Sequence, residues 1–151
     1  MTPARTPTVL VIEDDTDDQI LLAEALQSSG REALLEFCAD GEAATAYLHR
    51  VLDGDAPTPH MVLLDLRLPG ESGLELLARL KSHPVLRALP IVVFTTSWFE
   101  DDVRAAYAAG ANAFVIKPLR FEELVATMQS LTAFWLDRCQ PSPLPARGVG
   151  A

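Results

Sequence analysis

Five short apolar runs punctuate this chain, and a segment with the spacing of an amphipathic helix follows each one. The runs are Val9-Leu10-Val11-Ile12, Leu34-Leu35-Glu36-Phe37, Met61-Val62-Leu63-Leu64, Ile91-Val92-Val93-Phe94 and Ala113-Phe114-Val115-Ile116. Runs as apolar as Val9–Ile12 suit central strands covered on both faces. Helical spacing over about 18–29 places Ile20, Leu21, Ala23, Glu24 and Leu26 ahead of a stop at Gly30. Similar spacing covers about 41–53, with Ala43, Ala46, Tyr47 and Val51, and about 73–82, with Leu74, Leu77 and Leu80 ahead of Pro84. A fourth helix spans about 100–110, ending at Gly110, and a fifth about 121–138, carrying Phe121, Leu124, Val125, Met128, Leu131 and Trp135. Fivefold strand–helix alternation dictates right-handed crossovers and a parallel sheet wound with helices on both faces. The fold class is α/β, with no internal repeat and no second domain.

Length supports one such unit. A chain of 151 residues can bury roughly 68–70% of its unfolded surface, enough for a full core. Apolar residues at 49% and charged ones at 22% argue against wholesale disorder. No apolar run is long enough to span a bilayer, and the N-terminus is too brief in its apolar part for a secretory signal. Cys38 and Cys139 stand far apart with no metal-ligand spacing, which fits a reducing interior. The expectation is a cytoplasmic protein. Its net charge of −9 repels a phosphate polyanion, so no nucleic-acid partner and no membrane surface are expected.

In an open α/β sheet, ligands bind beyond the carboxyl ends of the strands, where strand order reverses. Glu13, Asp14 and Asp15 follow the first run, Asp65 the third, Thr95-Thr96-Ser97 the fourth and Lys117-Pro118 the fifth. Converging carboxylates repel one another and suit a hard divalent cation such as Mg2+. A carboxylate can also attack a phosphoryl group to give an acyl phosphate. Thr95 and Lys117 then offer a hydroxyl donor and a point charge to the transferred group's oxygens.

These residues carry a resemblance. Val-Ile-Glu13-Asp14, Leu-Leu-Asp65-Leu-Arg-Leu-Pro69-Gly-Glu-Ser-Gly73, Val-Val-Phe-Thr95-Thr-Ser, Ala-Gly110-Ala and Val-Ile-Lys117-Pro118 occur in the order of a CheY-like response regulator receiver domain, and the chain resembles that family over about 8–130. The resemblance implies a flavodoxin-like (βα)5 fold with strand order 2-1-3-4-5. It implies a receiver at 7–138 and a flexible tail at 139–151. It makes Asp65 the phosphoacceptor, with Lys117 and Thr95 beside it. Asp14 and Asp65 are implied as Mg2+ ligands together with the backbone carbonyl of Arg67, while Glu13 acts through water. It also implies a cis Lys117–Pro118 bond, a switch hydroxyl on Thr95, and a switch aromatic at Phe114, which lacks a hydroxyl.

Within the superfamily, the 53–60 loop, Phe-Thr-Thr-Ser after the fourth run and Phe134-Trp135-Leu136 look most like single-domain regulators paired with phytochrome-type histidine kinases. The implied function is a stand-alone phosphorelay switch, not a conventional enzyme, without a DNA-binding output domain. An aspartyl-phosphate phosphatase of the haloacid-dehalogenase type would need a second acid two positions after its nucleophile, where Arg67 stands here. A pseudo-receiver would have lost its acceptor or lysine, and Asp65 and Lys117 are present.

The remaining features have plainer readings. Asp15, Thr16, Asp17 and Asp18 are assigned to capping of the first helix, each gaining ~0.3–1 kcal/mol from the macrodipole or a cap. His49, His60 and His83 share no ligand spacing. Trp98, Phe99, Tyr107, Phe134 and Trp135 exceed what buried stripes need, and such an excess marks either an interface or a last helix that packs its end on the domain itself. They make a candidate symmetric homodimer face on the fourth helix, fifth strand and fifth helix.

Overall fold

The computed structural model describes residues 6–144. Strands Thr8–Ile12 (β1), Leu34–Cys38 (β2), Met61–Leu64 (β3), Ile91–Thr95 (β4) and Ala113–Ile116 (β5) form one parallel sheet in the order β2-β1-β3-β4-β5, as expected. Helices Thr16–Ser28 (α1), Gly41–Leu52 (α2), Gly73–Ser82 (α3), Glu100–Ala108 (α4) and Phe121–Thr132 (α5) follow the strands in turn. Local chemistry sets three of the helix starts. The side chains of Asp15, Asp40 and Ser72 accept from the N–H groups of Asp18, Ala43 and Glu75, satisfying donors that the first turn leaves free.

The period of two along each strand splits the core into two layers. Leu10, Ile12, Val62, Leu64, Ile91 and Val93 pack with Leu48 of α2 and with Leu76, Leu77 and Leu80 of α3. Val9, Val11, Met61, Leu63, Val92 and Phe94 pack with Leu22 and Leu26 of α1 and with Leu124, Met128 and Leu131 of α5. Every residue of β1, β3 and β4 is buried, which is why these runs read as continuously apolar. The edge strands differ: Leu34 in β2 and Ile116 in β5 are exposed.

The fifth helix departs from the expectation of one α-helix to residue 138. It stops at Thr132 and continues as a π-helical segment, Ala133–Arg138. The Thr132 hydroxyl donates to the Met128 carbonyl, and Cys139 N–H reaches back to the Phe134 carbonyl, five residues earlier. The wider turn leaves Phe134 exposed while Trp135 and Leu136 pack half-buried on the core. Of the tail expected to be flexible, 139–144 lie among the described residues, where Leu144 is half-buried against the α2–α3 layer. Positions 145–151 of that tail lie outside the described residues. Among the described residues, no helix is long and apolar enough to cross a membrane.

Candidate functional site

Connections from β1 and β3 leave the sheet on opposite faces, and a crevice opens between them at the carboxyl edge. Glu13, Asp65 and Lys117 each stand one residue past a strand and prolong its ladder. Their N–H groups donate to the carbonyls of Cys38 (2.9 Å), Ile12 (3.1 Å) and Thr95 (2.7 Å). The sheet itself therefore fixes the backbone of all three side chains.

Those side chains meet. The Lys117 ammonium donates to Asp65 Oδ2 at 2.8 Å, to Glu13 Oε2, and to Asp18 Oδ2 at 3.2 Å. Asp65 Oδ1 accepts from the Arg67 N–H at 3.1 Å, and Glu13 Oε1 accepts from the Asp15 N–H at 3.1 Å. Thr95 lies fully buried at the end of β4, its Oγ1 facing the Ser97 N–H at 3.4 Å. Asp14 is exposed, its carboxylate free of hydrogen bonds and ion pairs among the described residues. Beneath the charged cluster lies a cavity of about 70 Å3, walled by Leu22, Leu63, Phe94 and Leu124.

Burial and mutual repulsion divide the roles of the two carboxyls. Burial, then the neighbouring Asp65 carboxyl, pushes Glu13 up from 4.5 to about 7 against the pull of Lys117. Burial raises Asp65 as well, but its hydrogen bonds with Glu13 and Lys117 and the ammonium charge outweigh it, and Asp65 stays below the ordinary 3.8. For Lys117, desolvation is outweighed by Asp65 and Glu13, so the ammonium holds its proton beyond the ordinary lysine range. Asp65 thus rests as the carboxylate, with Glu13 as the carboxyl that yields or takes a proton near neutrality.

The donor set fits a hard divalent cation. Among the described residues, no three His, Cys, Asp or Glu side chains converge as a closed cage, and Mg2+ needs none. It is held by one or two carboxylates, with phosphate oxygens and waters completing the octahedron. Asp14 follows Glu13 in the chain with a free carboxylate but does not line the crevice, and the crowded Glu13–Asp65 pair is what a dication would relieve.

Two expectations need correction. The cis bond expected at Lys117–Pro118 is absent: every peptide bond among the described residues is trans, the lower-energy isomer even before proline. Asp18 does more than serve the helix end, because it reaches Lys117. The available signal was positional: α1 begins three residues past Glu13, which brings its first-turn acids within reach of a cation held there.

Sequence reasoning also missed the clamp on the loop after Asp65. Arg79 donates to both Glu71 carboxylate oxygens (3.0 and 2.9 Å) and to Thr45 Oγ1 (2.8 Å). The five aromatics form two pairs and a single. Trp98 stacks on Phe99 (5.1 Å) just past β4, whereas Phe134 meets Trp135 edge-on (4.8 Å) beyond the far end of α5. Tyr107 is exposed, and its hydroxyl accepts from the N–H of Phe114, which packs half-buried on the core.

Comparison with known proteins agrees with this fold. The family model described as "Response regulator receiver domain" matches residues 9–129. The probable methanogenesis regulatory protein FilR2 of Methanothrix harundinacea is 41% identical over 138 residues, covering 91% of this chain and 88% of FilR2. Response regulator Rcp1 of Synechocystis is 38% identical over 85% of this chain and 88% of its own length. Its Mn2+-bound crystal structure superposes with a TM-score of 0.79 at 36% identity, covering 91% of this chain and 99% of that one. The crystal structure of the phosphorylated cyanobacterial phytochrome response regulator RcpA gives a TM-score of 0.83 at 32% identity, covering 92% of this chain and all of that one. With the family model spanning most of its length and relatives this similar, the chain belongs to the response regulator receiver domain family.

Proposed function

We propose that this receiver, spanning 7–138 with a tail at 139–151, is a stand-alone phosphorelay switch that accepts a phosphoryl group on Asp65 from a sensor histidine kinase. One observation carries the reading: an ionised Asp65 carboxylate held between the Lys117 ammonium and the Arg67 N–H at the crevice of the sheet. Asp65 attacks the phosphorus of a phosphohistidine. The P–N bond breaks with its electron pair going to the imidazole, and an acyl phosphate forms. Lys117 meets the phosphoryl oxygens from the side it already occupies. Thr95, buried beside the site, supplies the hydroxyl that turns toward them. Asp14, Asp65 and the Arg67 carbonyl, with Glu13 acting through water, would hold Mg2+, whose chemistry there would be charge neutralisation of those oxygens.

Water attacking phosphorus later restores the carboxylate and releases phosphate, so the domain catalyses its own loading and unloading while its use is signalling. Arg67, in the position of a phosphatase's second acid, has no proton to give at neutral pH. The half-buried Phe114 responds to Thr95 by packing alone. Likeness to RcpA supports a phytochrome-type kinase as partner, the charge of −9 supports a protein without nucleic-acid contacts, and the free, widely separated Cys38 and Cys139 support a cytoplasmic one. Exposed Trp98, Phe99, Tyr107 and Phe134 support a homodimer through α4, β5 and α5. A monomer mass unchanged by concentration in sedimentation, with and without phosphorylation, counts against that dimer.

Intact mass after incubation with acetyl phosphate tests the switch. The expected result is one Mg2+-dependent phosphoryl adduct in the wild type and none in a folded Asp65→Asn chain. An adduct of equal yield in Asp65→Asn overturns the assignment.

A further inference from the structure

The Lys117 side chain is only 12% exposed, and its ammonium, a donor of three N–H groups, has three carboxylate partners: Asp65, Glu13 and Asp18. An ammonium with so little water around it depends on such partners. Two of the three are committed elsewhere in the proposed reaction. The Asp65 carboxylate becomes a mixed anhydride and its place at the ammonium passes to the incoming phosphoryl oxygens, and Glu13 would serve the metal's water shell. Asp18 has no other duty. It is also held in place: its N–H donates to the Asp15 cap, and the Gln19 side chain ties the same turn to the Glu13 carbonyl at 2.6 Å. At 3.2 Å, against 2.8 Å for Asp65, it shares the ammonium without capturing it.

We propose that Asp18 is a positioning residue for Lys117, holding the ammonium at the mouth of the site while its other partner changes from the Asp65 carboxylate to the oxygens of the acyl phosphate. This role rests on Asp65 being the phosphoacceptor. Asp18 acts through Lys117 from the first turn of α1, and it touches neither the reacting oxygen nor the metal.

The experiment is a double-mutant cycle read by acetyl phosphate labelling at varied Mg2+. In Asp18→Asn the labelling rate falls about 3- to 10-fold, the usual size of one charge-assisted contact at a half-exposed site. The Mg2+ half-saturation stays unchanged, and Asp18→Glu recovers most of the rate. In a Lys117→Met background, already slow, adding Asp18→Asn changes the remaining rate by less than about 2-fold, because the partner is gone. Proton exchange of the Lys117 ammonium with water, followed by 15N NMR, quickens in Asp18→Asn and gives a readout apart from labelling. Four results overturn the proposal: an additive cycle, a faster Asp18→Asn (the charge only repels the donor), a shifted Mg2+ half-saturation (Asp18 serves the metal), or an unchanged rate (a helix-end acid only). A wild type that takes up no phosphoryl group overturns instead the reading of Asp65, and this role for Asp18 falls with it.

Discussion

Two loops leave the carboxyl edge of the sheet side by side, one after Asp65 and one after Thr95, and they are built oppositely. The loop at 66–72 is wedged. Gly73 N–H donates to the Leu66 carbonyl at 2.9 Å, and a Cβ on Gly73 would stand 2.2 Å from the Asp65 carbonyl oxygen. Glu71 is pinned by Arg79 on one side and fills the space that a Cβ on Gly41 would need, 2.7 Å away, on the other. The loop at 96–99 has few such contacts. Trp98 and Phe99 are 68% and 57% exposed and stack on each other, not on the core. α4 begins without a side-chain cap, and Ala106 is its one fully buried residue. Among the described residues Ser97 supplies the loop's one side-chain hydrogen bond to α4, its hydroxyl donating to Asp102, beside the backbone bonds from Asp102 and Val103 N–H to the Phe99 carbonyl. The proposed function, in which Asp65 is held still and its modification is reported, needs both kinds of loop. The free energy to open lies low in the second and high in the first.

Removing the wedge is the largest perturbation. Gly73→Ala forces a methyl against the backbone of Asp65 and Leu66, at 2.2 and 2.6 Å, where neither neighbour is a flexible side chain. The expected cost is about 4 kcal/mol or more in urea unfolding, beyond ordinary overpacking because backbone has to move. Labelling of whatever folds should fall with it. A variant as stable as wild type would show that the loop gives way easily, and the contrast between the two loops would vanish.

Charge crowding on the wedged side gives the next effect. Glu13 titrates at about 7 in the fold against an ordinary 4.5. A carboxyl raised in this way stabilises the fold fully below 4.5, and that contribution is lost as pH climbs through 7. Asp65 is shifted downward, so its own contribution is intact across this window. His60, lowered by burial, works the other way below 6.5. The difference between wild type and Glu13→Gln isolates Glu13. From about pH 5 to 8 without metal, wild type should lose on the order of 1–3 kcal/mol relative to the variant, since each tenfold change in proton affinity is worth about 1.4 kcal/mol. Added Mg2+ should shrink the loss. Parallel curves would mean that Lys117 already balances the pair.

Much of this was legible in the sequence because the signals were local and periodic. Continuous burial of β1, β3 and β4 made the runs unmistakable, and Glu13, Asp65, Thr95 and Lys117 are strand-end residues whose place follows from the topology. What escaped depends on contacts between distant segments. Nothing near Arg79 says that it will meet Glu71 and Thr45, 34 positions away in the second case. Asp18 looked like a helix-end acid because it is one, and its reach to Lys117, 99 positions on, exists only in the folded crevice. The π turn at Ala133 was hidden for a different reason: 3.6 and wider spacings place Leu131 and Trp135 on nearly the same side, so apolar periodicity cannot separate them.

The smallest effect sharpens the comparison most. Ser97→Ala removes the hydroxyl bonded to Asp102 while keeping the buried volume nearly unchanged, so the stability loss should be about 0.5–1.5 kcal/mol. Its consequence should be local. Amide hydrogen exchange across 97–104 should quicken, because the side-chain tether between the loop and α4 is gone. Exchange across 66–73 should not change, since the Gly73, Arg79 and Glu71 contacts do not involve Ser97. With the resting tether removed, the Thr95 loop starts nearer its responsive arrangement, and the exchange difference between unphosphorylated and phosphorylated chains over 97–104 should narrow. Equal quickening in both loops would show that they open as one unit, and the division into a fixed acceptor and a loose reporter would have to be given up.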